Sequence, residues 1–243
     1  MKTSNLGQKL ERGEVINGIW RTIPDDAITE IIANTGYDFQ IFDLEHGALG
    51  WADIQSMVRI NNALSKVSFV RLGDRTSIAA QRALDAGAHG LVYPGIESLE
   101  DVDLLLENLN FAPNGRRGFN PFVPSFGYGA TSITSESQTR MIPIIETKTG
   151  LQSINEISSH PSVNIVYLGA YDLSVHLGTP GDVKSEVVVN ALKEAVQVCR
   201  GNKCHIGLMI DSREAADDWE RLGVKVLLRG VDAGLIRKAL DVI

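Results

Sequence analysis

Between Met141 and Ser174 the chain twice repeats one pattern, a short apolar run followed by an acid. Met141 to Ile145 leads into Glu146, and Ile165 to Leu168 is followed closely by Asp172. Runs of this length suit buried strands. In a parallel sheet adjacent strands lie roughly 5 Å apart, so the two acids share one end of the sheet. Neither has Lys, Arg or His directly beside it. Each alone could be an acid favoured at a helix N-terminus; together they suit a hard divalent cation, which takes oxygen ligands.

Other residues carry complementary chemistry. Asp43 lies three residues before His46, with Glu45 between them, and a carboxylate that orients an imidazole makes an acid/base pair. Seen alone, His46 is as well read as a structural histidine. Arg71 closes another apolar run; it could form a surface ion pair, but its planar fork also matches the oxygens of a keto acid. A divalent ion held by two carboxylates keeps open positions. A 2-keto acid could fill these with its carboxylate and ketone, and its enolate would be stabilised by the metal and by Arg71. His46 could then move the proton on a partner aldehyde or alcohol. That is the chemistry of making or breaking a C–C bond beside a 2-keto acid. A Schiff-base route needs a lysine at a strand's C-terminal end; Lys66 and Lys225 lie at strand starts, and Lys148 stands two residues beyond Glu146.

Positioning these groups requires an ordered set of elements. Short apolar strands are expected at Glu14 to Trp20, Phe39 to Asp43, Ser68 to Arg71, Gly90 to Tyr93, Met141 to Ile145, Ile165 to Leu168, His205 to Ile210 and Val224 to Leu228. Helical spacing lies between them: from Asp25 or Asp26 through Asn34, then Trp51 to Leu64, Ser77 to Asp85 and Leu99 to Leu109. It resumes with one helix between Glu146 and Ile165, then Ser185 to Arg200, Ser212 to Leu222 and Ala233 to Val242. Strands alternating with helices over 243 residues predict an α/β fold, a single-domain (β/α)8 TIM barrel. A doubly wound sheet would carry a Gly-rich fingerprint after strand one, and Gly18 to Asp26 (GIWRTIPDD) is not one. The candidate residues Trp20, Asp43, Glu45, His46, Arg71, Glu146 and Asp172 all fall at or just after strand C-terminal ends, where barrel enzymes keep their active sites. The long segment 110–140, rich in Gly, Pro, Ser and aromatics, is expected to cover the site or contact a subunit. Within it Arg116 and Arg117 could meet an anionic substrate, although a solvated turn explains them as well.

Composition limits the partners. The net charge of −7 argues against a nucleic-acid surface or a polybasic membrane contact. No apolar run approaches the roughly 18 residues of a membrane span, and the first residues lack an apolar signal core. Two cysteines, Cys199 and Cys204, are expected as reduced structural thiols. A cytoplasmic protein follows.

The same residues resemble the HpcH/HpaI aldolase family, metal-dependent class II pyruvate aldolases related to citrate lyase β-type barrels. The matching segments are GIW at Gly18 to Trp20, FDLEHG at Phe42 to Gly47, Val70 with Arg71, and LDAGAHGLVYP at Leu84 to Pro94. RRG at Arg116 to Gly118, IIET at Ile144 to Thr147 and LGAYDLSVHLG at Leu168 to Gly178 match as well. The resemblance implies Mg²⁺, Mn²⁺ or Co²⁺ on Glu146 and Asp172, Arg71 at the keto-acid oxygen, and His46 with Asp43 as acid and base. It implies that backbone amides from Gly169 through Ala170 and Tyr171 to Asp172 hold the substrate carboxylate, with Trp20 and Ile144 also lining the substrate. Asp85 would reach a neighbouring subunit's site in a hexamer built as a trimer of dimers, whose last helix packs on a neighbour. The substrates implied are a 2-keto acid such as pyruvate and an aldehyde. This chain departs from the family pattern at Ile144, where Gln is frequent, at Tyr171 (GAYDLS for GPADLS), at Leu72 and at Arg229. Three alternatives remain: a citrate-synthase-like condensation on the same metal, a non-catalytic ligand-binding barrel, and a phosphate-sugar isomerase. The last would need Gly-rich phosphate loops after strands seven and eight; Met209 to Glu214 (MIDSRE) is not Gly-rich, and Leu228 to Gly234 (LRGVDAG) is only weakly so.

Overall fold

The structure, a computed structural model, describes residues 6–133 and 140–241. Eight strands close a parallel barrel in chain order: β1 (Ile16–Arg21), β2 (Phe39–Asp43), β3 (Val67–Arg71), β4 (Gly90–Tyr93), β5 (Arg140–Ile145), β6 (Ile165–Leu168), β7 (His205–Met209) and β8 (Val226–Val231). Alternation along each strand sorts the side chains. Ile41, Phe69, Val92, Ile142, Ile144 and Leu228 fill the interior, while Phe42, Val70, Leu91, Met141, Ile145 and Val166 face the helices. Both faces are therefore buried, which is why the strands read as nearly continuous apolar runs. Gly18 leaves room for the ring of Phe39, its register partner on the neighbouring strand: a Cβ there would stand 2.1 Å from that ring.

Around the barrel lie α2 (Asp26–Ala33), α3 (Trp51–Ala63), α4 (Ser77–Asp85), α5 (Leu99–Leu109), α6 (Lys148–Gln152), α7 (Ile154–Ser159), α8 (Ala170–His176), α9 (Glu186–Gly201), α10 (Arg213–Leu222) and α11 (Asp232–Leu240). Side-chain caps begin several of them: Asp25 accepts from Ile28 N–H, and Ser98 forms a capping box with Asp101. α9 ends where Lys203 adopts a left-handed φ of 60° and Cys204 N–H returns to Cys199 C=O at 2.9 Å. This is the geometry that brings the flanking side chains together under a helix end, and both cysteines are free and buried.

The structure departs from the sequence expectations at several elements. An additional helix, α1 (Leu6–Glu11), sends Leu6 and Leu10 into the interior cluster from the N-terminal end of the barrel. The single helix expected between β5 and β6 is two short ones broken at Ser153. A further helix, α8, starts directly after β6, with Leu173 and Leu177 at the spacing that buries one face. β1 begins at Ile16 and β8 runs to Val231, so Arg21 and Arg229 belong to strands. Residues 134–139 of the long loop, and Val242 at the expected end of the last helix, lie outside the described residues.

Beneath α2 and α3 the layer outside the barrel is polar. Arg21 donates through Nε to Asp232 at 2.8 Å and through Nη1 to Thr29 and Gln40; Gln40 donates to Asn61, which donates to Ser68. Asp232 also accepts from Thr22 N–H, Thr22 Oγ1, Ile23 N–H and Ala233 N–H. The carboxylate thereby ties the start of α11 to the turn after β1. Beyond Asp232, α11 is exposed, with Leu235, Ile236 and Leu240 facing outward. Among the described residues no helix is long and apolar enough to cross a membrane.

Candidate active site

Asp43 and Arg71 are register partners at the C-terminal ends of β2 and β3. The Asp43 carboxylate accepts from Arg71 Nε at 2.8 Å and from Arg71 Nη2, and also from the backbone N–H groups of Glu45 and His46 at 2.9 and 3.1 Å. On the other side Arg71 Nη1 lies 2.9 Å from Glu45 Oε2, and the guanidinium sits 4.6 Å above the Trp20 ring. Burial works against the charge of Arg71, but the Asp43 bond and the charges of Asp43, Glu45 and Glu146 outweigh it and raise its pKa. Arg71 is thus a fixed cation whose orientation is set on three sides.

This arrangement alters the expected acid/base pair. Asp43 has committed its oxygens to Arg71 and to two amides, so it shapes the turn that carries His46 and does not touch the imidazole. The His46 side chain is 68% exposed, with Nε2 3.8 Å from Glu45 Oε2. The nearest carboxylate to the ring is that of Glu45, at the rim.

The opposing wall is acidic. Glu146 follows β5 directly and accepts from Gly95 N–H through Oε1 at 2.7 Å. Arg75 holds the loop that presents this amide: it bonds the carbonyls of Pro94 and Gly95 and pairs with Asp101. Gly169 packs against Glu146 so closely that a Cβ would stand 2.7 Å from Oε2, so no side chain fits there. Asp172 lies in the first turn of α8. The leading N–H groups of a helix have no acceptor within it, and here those of Ala170, Tyr171 and Asp172 occupy that position. The Glu146 carboxyl is pushed up to about 7, first by burial and then by the charges of Asp172 and Glu45, against the Gly95 bond and Arg71.

Such a carboxyl gains from a divalent cation, and its oxygen donors suit a hard one. Among the described residues no three His, Cys, Asp or Glu side chains are grouped to enclose an ion. A cation bound here would take Glu146 and Asp172 as its carboxylate ligands and leave its other positions to substrate and water. Glu146 and Asp172 fit the group on these grounds.

Of the other expected residues, Ile144 is buried beneath Glu146 and Tyr171 is 61% exposed at the rim. Asp85 is not part of this mouth. It ends α4, which runs back toward the N-terminal ends of the strands, and pairs with Arg117 at 2.8 Å; Arg117 in turn lies over the Phe111 ring. Three participants were missed: Gly95, Arg75 and Tyr167. Tyr167 is the register partner of Ile144, and its hydroxyl accepts from Trp20 Nε1 at 3.4 Å, with the two rings edge to face. Counting back two residues from Gly169 along β6 would have marked it as inward-facing.

The family model described as HpcH/HpaI aldolase/citrate lyase matches residues 17–239. The chain is 31% identical over 203 residues to a hydroxypyruvate/pyruvate aldolase of Paraburkholderia phytofirmans, covering 80% of this chain and 78% of that relative. An HpcH/HpaI aldolase/citrate lyase family protein from Burkholderia cenocepacia superposes with a TM-score of 0.92 at 26% identity, covering 98% of this chain and 96% of that one. Citrate synthase SbnG superposes with a TM-score of 0.85 at 26% identity, covering 97% and 94%. The strand-end chemistry and the match over nearly the whole barrel lead to one conclusion: the chain belongs to the HpcH/HpaI aldolase/citrate lyase family.

Proposed function

We propose that the chain is a carbon–carbon lyase, an aldolase that cleaves or forms a 2-keto acid such as pyruvate together with an aldehyde. The observation that carries this reading is a clamped arginine facing two carboxylates, one of them held near neutral pKa first by burial and then by its like-charged neighbours. Glu146 and Asp172 would hold a divalent cation, Mg²⁺, Mn²⁺ or Co²⁺. When bound, the ion supplies Lewis-acid polarisation of the keto oxygen. Arg71 meets the negative charge that gathers on that oxygen as the C–C bond breaks, and its fixed orientation avoids reorganisation during the step. The free amides from Ala170 to Asp172 seat the substrate carboxylate beside Gly169. His46, exposed at the rim, takes the proton from the aldehyde-side hydroxyl in cleavage and returns it in synthesis, with Glu45 as the carboxylate nearest its ring. Trp20 supports Arg71 from below, while Ile144 and Tyr171 shape the space for the substrate.

The exposed apolar side chains of α11 support packing of that helix on a neighbouring copy, in a homo-oligomer assembled as a hexamer, a trimer of dimers. Asp85 would there serve the neighbouring subunit's site, and the 110–140 loop would cover a mouth or a contact. The acidic composition supports a cytoplasmic enzyme of small molecules. Deuterium exchange into the pyruvate methyl group tests the chemistry: exchange should require divalent metal, and exchange retained in a Glu146→Ala, Asp172→Ala double variant would overturn it. The likeness to citrate synthase SbnG favours as second reading a condensation on the same site. Product analysis with oxaloacetate and an acyl donor separates the two.

A further inference from the structure

The Tyr167 hydroxyl is a buried polar group that the mechanism above does not use. It lies on the barrel's interior face, in the layer below Glu146 and Gly169, and the residue is 7% exposed. Its oxygen accepts one long bond from Trp20 Nε1, and among the described residues no acceptor takes its proton. Burial pushes its pKa up to about 12, so at neutral pH the group stays protonated and able to donate. Its ring packs edge to face on Trp20, the ring over which Arg71 sits, and its register partner Ile144 stands two residues before Glu146, which places it under the mouth. Beside it stands Ile144, which brings no polar atom. A buried hydroxyl leaves its proton unmatched at a cost unless a ligand supplies the acceptor.

We propose that Tyr167 is a specificity-determining residue whose hydroxyl donates to a hydroxyl on C3 of the bound 2-keto acid. The inference rests on the aldolase reading, in which Arg71 and the amides at the start of α8 already serve the keto and carboxylate oxygens. The C3 methyl of pyruvate needs no polar partner. A C3 hydroxyl, as in hydroxypyruvate, entering the buried floor beside Ile144 does need one, and among the described residues Tyr167 is an uncommitted donor there. Sites built to bond a hydroxyl discriminate strongly against ligands that lack it, because their own polar group is then left unpaired.

Tyr167→Phe removes the donor and keeps the ring that packs on Trp20. The ratio of kcat/KM for hydroxypyruvate over that for pyruvate, with one common aldehyde, should fall about tenfold, mostly through KM. The ratio of their binding constants, read by calorimetry, should fall in parallel. An unchanged ratio in both measurements, or a drop equal for the two keto acids, overturns the proposal. A thermal midpoint matching wild type shows that the fold is intact; should Tyr167→Phe fail to fold, Ile144→Gln, which adds a competing donor beside C3, must shift the same ratio or the proposal falls. Failure of the aldolase reading itself would look different, since wild type would then exchange deuterium into neither keto acid.

Discussion

Replacing Asp232 by alanine should be among the most destabilising single changes outside the mouth. The Arg21 and Asp232 side chains are 0% and 1% exposed and meet at 2.8 Å. Removing the carboxylate leaves a buried guanidinium without its counter-charge, a defect that costs about 3–5 kcal/mol. It also orphans the N–H groups of Thr22, Ile23 and Ala233, worth about 1 kcal/mol each before water reaches them. Arg21 keeps its bonds to Thr29 and Gln40, so the terms overlap and about 4 kcal/mol is expected in total. In a chain of this length that lowers Tm by roughly 10 °C. The assay is thermal unfolding followed by circular dichroism at fixed protein concentration, run as a cycle with Arg21→Met. Because the second change removes a charge already left alone, the double variant should be about 2 kcal/mol more stable than the two losses added. Burial opposes ionisation of Asp232, but Arg21 and the bonds from Thr22 and Ile23 prevail and depress its pKa. Its contribution is therefore full above the ordinary aspartate pKa and is lost as pH falls through the depressed value. Asp232→Ala should lose less stability than wild type over that acid window. A Tm drop under about 3 °C, or strict additivity in the cycle, would refute the reasoning.

Other outcomes follow from the mouth. Arg71→Lys keeps the charge but not the fork that Asp43 and Glu45 orient, so kcat/KM should fall about 100-fold or more with the circular dichroism spectrum unchanged; a loss under threefold contradicts the role given to the fork. In metal-free protein the raised Glu146 pKa, about 7, makes its contribution to stability full below the ordinary glutamate value and lost as pH rises toward 7. Glu146→Gln should flatten that slope in pH-dependent melts. Divalent metal must displace the same proton, so metal affinity should weaken as pH falls below about 7, with proton release visible in weakly buffered calorimetry. At 100 times its dissociation constant the metal should add about 2.7 kcal/mol of stability; a chelator should remove the gain, and Asp172→Asn should abolish it. Gly169→Ala would press a methyl group into Glu146, and its expected signature is weakened metal binding out of proportion to the change in Tm.

Much of this architecture could be read from the chain because a parallel barrel buries both faces of its strands and leaves polarity at their ends. β2, α4, β4 and α5 fall where apolar runs and caps put them, and Glu146 and Asp172 were recognisable as strand-end acids without neighbouring cations. What escaped depends on partners distant in sequence. Nothing near Asp43 says that Arg71 will consume its carboxylate, and His46, three residues away, looks the better partner. Arg21 and Asp232 are separated by 211 positions, and each reads locally as a surface charge. Tyr167 passes for one more apolar strand residue until the ring of Trp20 is set across from it. α1 is too short for its periodicity to register.

The packed interior imposes an order of events under the proposed chemistry. With Ile41, Phe69, Val92, Ile142, Ile144 and Leu228 filling the barrel and Leu6 and Leu10 beneath them, the described residues leave the mouth at the strand C-terminal ends as the way in. A keto acid seated over Tyr167 is at the back of the queue, and the aldehyde, nearer His46 at the rim, stands in front of it. Under the proposed chemistry cleavage must release aldehyde before keto acid, and synthesis must admit them in reverse. The keto acid should therefore inhibit cleavage competitively, whereas the aldehyde should inhibit it noncompetitively.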